Sequence, residues 1–299
     1  MNVHVINSQT PDPEKSGTCA PLTHLQRAVG TAEISFKRRG HQTVLDHLYQ
    51  NGCCKVRFPK EEGFAQAVLL NTSGGLTDHD KMEVTAHWKA DTRALVTTQA
   101  AEKIYKSRGA PAQIINTLKV DEDACGFWVP QETILFDRGQ VHRRLSADIA
   151  KNGSLLALES LVFGRTAMGE KTEIGCVKDT WRMFYDGRLV FADGLSLDGD
   201  IQASLSSPAL LNGAIASATL VYVGDDVEEV GHTLSPLMGD MKSFAGFSIQ
   251  GPVLVMRLLA TESDFMRKDI AHICAKILSC LDRDKEFKDA DILPRVWSC

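Results

Sequence analysis

From Ala32 onward, apolar residues recur in short runs separated by Gly, Asp, Asn or Pro. Runs such as "AEISFKRRG", "KMEVTAHW", "TRALVTTQ", "AQIINTLKVD", "VHRRLSADIA", "SLLALESLVFG", "GRLVFADGLSLDG" and "GPVLVMRLLA" are rich in β-branched residues, and their punctuation is that of turns. Few helical patterns lie between them. The usual alternation of strand and crossover helix is thereby excluded, and the pattern predicts a mainly β architecture.

Two segments depart from it. Residues 235–248 open with Ser-Pro, a favourable cap and first-turn pair, and predict a short, glycine-broken helix. Residues 261–282 predict a longer one: Ile270, Ile273, Cys274, Ile277, Leu278 and Leu281 recur at helical spacing, and Thr261 with Asp264 resembles a capping box. This helix is expected to pack its stripe on the β core. Between them in character lies 97–109, which begins β-rich and turns helix-friendly at "AAEKIYK". Residues 1–24, with Pro11, Pro13 and Pro21, read as a flexible tail, and 25–299 as a single domain.

Composition narrows the function classes. A net charge of -5 over 299 residues argues against a nucleic-acid binder, which needs a basic surplus. No apolar run approaches the roughly 18 residues of a membrane span, and the N-terminus lacks a basic-then-apolar export pattern, so the chain reads as cytoplasmic. The eight cysteines form no CxxC pair and the nine histidines no HExxH, which speaks against a preformed zinc site.

"FGRTAMGEKT", residues 163–172, is one insertion away from a nucleotide phosphate loop. Glu170 would set a carboxylate beside the phosphates, however, and the downstream "EIGCVKDTWRMFYDGRLVF" reads as strands instead of the helix whose N-terminus must face the anion. No nucleophile-elbow or dinucleotide signature is present either. Three carboxylates stand out by their surroundings. Glu159 shares a strand face with Leu155, Ala157, Leu161 and Phe163, a costly placement unless the charge is paired, hydrogen-bonded or wetted. Arg165 is its candidate partner. Asp193 has a similar setting, with Gly194 offering a bulge as the plain alternative, and Asp80 follows a turn in which capping is the plain alternative.

At these residues the sequence resembles the UreD (UreH) family of urease accessory proteins. "LLNTSGGLTDHD", "LVTTQAAEKIYKS", "FWVPQETILFDRG", "LLALESLVFGRTAMGE", "LVFADGLSLDG", the C-terminal amphipathic helix and the ending "LPRVW" follow the family's order over residues 32–297. The resemblance implies a β-helical stack of many strands with two helices. It also implies a non-catalytic scaffold that docks on apo-urease, binds UreF and through it recruits the nickel-carrying GTPase UreG. By the same resemblance no cofactor is expected to be tightly bound, and nickel is expected in transit through an internal tunnel. By motif position Asp80, Glu159 and Asp193 are placed on that path, with Glu170, Arg165 and His79 as secondary candidates. Asp78 and His79 replace the family's Gly-Gly, which puts the shape of that turn in question. Two other readings stand beside this one: a β-helical carbohydrate-active enzyme using Glu159 and Glu170 in an open cleft, and a stand-alone nickel metallochaperone using Cys53 and Cys54.

Overall fold

The computed structural model describes residues 27–59, 65–164, 169–282 and 293–297. The segment 1–24 and Arg165 lie outside these residues. The chain builds two sheets. The first runs β14 (Arg188–Asp200), β13 (Ile174–Tyr185), β11 (Gln140–Ile149), β8 (Ala112–Val120), β5 (Lys81–Trp88), β1 (Val29–Arg39), β2 (Gln42–Gly52). The second runs β16 (Phe244–Gln250), β17 (Val253–Ala260), β15 (Ala216–Val223), β12 (Ser154–Phe163), β9 (Cys125–Trp128), β6 (Arg93–Thr98), β4 (Ala65–Asn71), β3 (Cys54–Arg57). Two short strands, β7 (Glu102–Ile104) and β10 (Thr133–Leu135), join beside β12.

From β4 to β13 the chain passes back and forth between the sheets. Each return lays a strand parallel to its predecessor in the same sheet, as in β5, β8, β11, β13 and in β4, β6, β9, β12. Parallel pairing needs a crossover, and here the opposite sheet supplies it in place of a helix. The result is the β-helical stacking that the family resemblance implies. Side chains that point between the sheets form one core, including Ile34, Trp88, Leu118, Leu145, Leu155 and Trp181.

The second sheet is covered on its outer face by α2 (Val227–Leu234) and α3 (Ser263–Leu281); a third helix, α1 (Ile201–Ser206), follows β14. A sheet buried on both faces requires strands apolar on both, and β12 is buried at nine of its ten positions. In α3 the predicted stripe Ile270, Ile273, Cys274, Ile277, Leu278, Leu281 is buried, joined by Met266. The capping box does not form: the helix starts two residues later, with Glu262 at the cap and no side-chain cap bond. Nor does 235–248 form a helix. It divides into a 3-10 turn at Ser235–Gly239 and the edge strand β16, whose Phe247 and Ile249 pack toward the helices. "AAEKIYK" is likewise strand at β7, because parallel pairing with β10 and a bridge from Leu76 to Ile104 outweigh its helical propensity. Among the described residues no helix is long and apolar enough to cross a membrane.

Candidate functional site

The site begins with three strands that each place one ionisable side chain between the sheets. On β11, Val141, Arg143, Leu145 and Ala147 alternate inward. On β13, Val177, Asp179, Trp181 and Met183 do the same. Parallel register puts Arg143 directly beside Asp179. From the opposite sheet, β12 directs Glu159 into the same space with Leu155, Ala157 and Leu161. Arg143 bridges the two carboxylates, Nη1 to Glu159 Oε2 at 2.6 Å and Nη2 to Asp179 Oδ2 at 2.6 Å, and donates to Thr133 Oγ1 at 3.2 Å. Glu159 also accepts from Asn116 Nδ2 at 3.1 Å and Trp128 Nε1 at 3.2 Å.

All three groups are buried, so their charges depend on one another. Burial lowers the tendency of Arg143 to hold its proton, yet the charges of Asp179 and Glu159 more than reverse this and raise its pKa. For Glu159, burial raises the carboxyl against the opposing pull of Arg143, Trp128 and Asn116.

Two cavities meet at this cluster. The first, of about 190 Å³, is lined by Glu102, Asn116, Trp128, Arg143 and Glu159 and extends to Gly74 and Lys103 at the surface. The second, of about 220 Å³, is lined by Arg143, Glu159, Asp179, Trp181, Asp193 and Arg257. At its outer end Arg257 crosses from β17 to β14, with Nη2 2.6 Å from Asp193 Oδ2 and Nη1 2.9 Å from Thr219 Oγ1. Carboxylates therefore stand in series from Glu102 through Glu159 and Asp179 to Asp193.

Glu102 is held at its end by the turn after β4. Leu76 N donates to Lys103 O and Tyr105 N to Leu76 O, both at 2.7 Å, which seats the turn on β7. Gly75 is required there, since a Cβ would lie 2.4 Å from the Tyr105 ring and φ is 146°. Asn71 Nδ2 then reaches both Glu102 oxygens at 3.0 and 3.2 Å. Burial pushes the Glu102 carboxyl up to about 7 against the hydrogen bonds of Asn71 and Lys103, and the charge of Asp80 adds to the rise.

The structure thus brings Glu159 and Asp193 onto a pair of cavities that share the Arg143–Glu159 wall and sets Asp80 apart. Asp80 Oδ1 accepts from Ala28 N at 2.7 Å and Oδ2 from Thr77 N at 2.8 Å, the bonding of a turn residue. Neither Asp80 nor Glu170 is among the described residues that line either cavity. Asp193 lies in a regular antiparallel pair with Trp181, not at a bulge. His79 is exposed and takes φ 64°, the left-handed conformation that a glycine adopts freely, while Asp78 is buried against Arg27 Nη2 at 3.1 Å. The residues missed by sequence reasoning are Arg143, Asp179 and Glu102. For the first two the signal was available: each is a charge on the apolar alternate of its strand, as Glu159 is.

The two other readings fare poorly against this geometry. A glycosidase pair needs an open cleft, and Glu159 is 6% exposed and already bound to a guanidinium. Burial raises the thiols of Cys53 and Cys54, the latter to about 12, so a metal would have to displace a proton from each to bind there. Among the described residues no group of three or more His, Cys, Asp and Glu is arranged to hold a metal ion. After Gly164 and Gly169 the chain enters β13, so the segment resembling a phosphate loop is not followed by a helix.

Comparison with known proteins gives a consistent result. The family model described as UreD urease accessory protein matches residues 28–298. A urease accessory protein UreD from Chelativorans sp. is 39% identical over 279 residues, 92% of this chain and 95% of the relative. One from Rhizobium leguminosarum bv. viciae is 37% identical over 282 residues, 94% and 99% of the two chains. Urease accessory protein UreD 1 from Bradyrhizobium sp. is 35% identical over 288 residues, 95% and 98% of the two chains.

Proposed function

The chain belongs to the UreD urease accessory protein family, and from that premise we propose that it is a non-catalytic cytoplasmic scaffold of urease maturation that passes nickel through its own interior. It docks on apo-urease and binds UreF, and UreF brings the GTPase UreG with its nickel. Nickel travels as cargo, handed along carboxylates that are never numerous enough at one point to trap it.

The observation that carries the reading is the pair of cavities sharing the Arg143–Glu159 wall, with Glu102 on one side and Asp193 on the other. A borderline divalent cation prefers such a carboxylate-lined route to the apolar interior around it. Each carboxylate is also bound to a group that can be exchanged: Asn71 at Glu102, Arg143 at Glu159, Arg257 at Asp193.

The test is urease activation in cells that carry the remaining urease genes but lack this one. Glu102→Leu is expected to be captured with UreF and urease as wild type is, while activation falls about ten-fold. Full activation by that variant would remove Glu102 from the path. Failure of the wild-type chain to restore activity or to capture either partner would overturn the scaffold itself.

A further inference from the structure

The wall between the two cavities has a composition that a purely structural ion pair does not need. Arg143 supplies one positive charge to two carboxylates. Both the Arg143 Nε and the Asp179 Oδ1 are buried without a hydrogen-bond partner, although Arg143 and Asp179 are only 4% and 6% exposed. A buried polar cluster whose role is fold specificity is expected to be balanced in charge and fully bonded. This one has an unmatched acceptor, and Asp179 lines the second cavity.

We propose that Glu159 and Asp179 form a divalent-cation site whose resident occupant is the Arg143 guanidinium, and that a metal ion enters by exchanging with it. The inference rests on the conduit reading above and adds to it a site and a criterion for selection. In the closed state the guanidinium spans both carboxylates at 2.6 Å and separates the cavities. Its long stem can rotate into either of them, since each has about 200 Å³ free beside it. The carboxylates left behind carry two negative charges, which one divalent ion neutralises. The free Asp179 Oδ1, together with Glu159 and Thr133 Oγ1, supplies oxygen donors suited to a hard or borderline cation. Sodium or potassium brings no more charge than the guanidinium and lacks its paired N–H donors, so a monovalent ion cannot displace it. The exchange thus discriminates by charge, which a simple water-filled passage does not.

The experiment uses the full chain and Mn²⁺ as an oxygen-preferring paramagnetic probe, which avoids the thiols. Arg143→Gln is expected to bind Mn²⁺ about ten-fold more tightly than wild type. Adding Asp179→Asn to it is expected to abolish that gain, and Arg143→Lys should fall between. A folded Arg143→Gln chain with wild-type Mn²⁺ affinity overturns the proposal. Should Arg143→Gln prove insoluble, Asp179→Asn alone decides: it leaves a balanced Arg143–Glu159 pair, so it should still assemble with UreF and urease while activation falls about ten-fold. Activation within about two-fold of wild type would contradict the site. The two readings fail differently. If the conduit is wrong, Glu102 and Asp193 variants also activate normally; if only the exchange site is wrong, they lose activation while Asp179→Asn keeps it.

Discussion

Strand β12 separates two interiors of opposite character. Its outward residues Leu156, Leu158 and Val162 join Ile273, Ile277 and Leu278 of α3 in a core made of apolar side chains. Its inward residues Leu155, Ala157 and Leu161 flank Glu159, which faces Arg143, Asp179 and two cavities. One strand with one backbone geometry thus serves a sealed face and a polar, hollow one. The difference teaches that the helices pack an all-apolar face, while the core between the sheets is interrupted at β12 by a buried charged cluster with cavities on either side.

Substitutions can break the contrast. The largest expected effect is on the inner side: Arg143→Met leaves Glu159 and Asp179 buried without a counter-charge and should lower stability by about 3–5 kcal/mol in chemical denaturation. Adding Glu159→Leu and Asp179→Leu should recover most of that loss, because well-packed apolar groups replace a buried triad at little cost. If the triple variant stays as unstable as Arg143→Met, the cluster supports the fold and not only the passage. On the sealed side, Ile277→Ala should cost about 2–5 kcal/mol by leaving a cavity under α3. It should leave activation per folded molecule unchanged; a loss there would tie the helices to the path.

Glu102 sharpens the comparison through pH. Its pKa is raised from 4.5 to about 7 by burial, so the folded state favours the protonated form. The wild type therefore keeps its full stability below about pH 4.5 and loses part of it as pH rises through about 7. Glu102→Gln should match wild type near pH 4 and exceed it near pH 8 by on the order of 1–2 kcal/mol in thermal or denaturant unfolding, solvent screening included. Equal curves at both values would mean that Glu102 is well solvated. The smallest effect belongs to Asp193→Asn. Its partner Arg257 is half exposed, so stability should move by no more than about 0.5 kcal/mol, while activation still falls if Asp193 lies on the route.

Much of this architecture was legible in the chain. Period-two alternation located the strands, and the stripe of α3 could be read residue by residue. What failed was decided by contacts distant in sequence: β7 is strand because β10 and Leu76 pair with it, and β16 because β17 does. The site was legible in part. Glu159 announced itself as a charge among apolar neighbours, yet its pairing with Arg143 on the facing sheet could not be read from sequence distance, since a two-layer coil brings together residues one crossing apart. Glu102 gave no such signal, because it sits in a segment whose propensity is helical. Asp80 was singled out by its motif, whereas its two oxygens are occupied by backbone N–H groups.

The central claim, passage of nickel between the sheets, is tested most directly by a block that changes no charge. Ser217 lies opposite Leu161 on β15 and lines the second cavity, so Ser217→Phe fills that space from the wall. The measurement is the nickel content of urease purified from cells in which this variant replaces the wild-type chain, with co-purification of UreF and urease as the control. The account predicts an assembled complex and urease about ten-fold depleted in nickel. An assembled complex with fully loaded urease would contradict it and move the route to the outside of the protein.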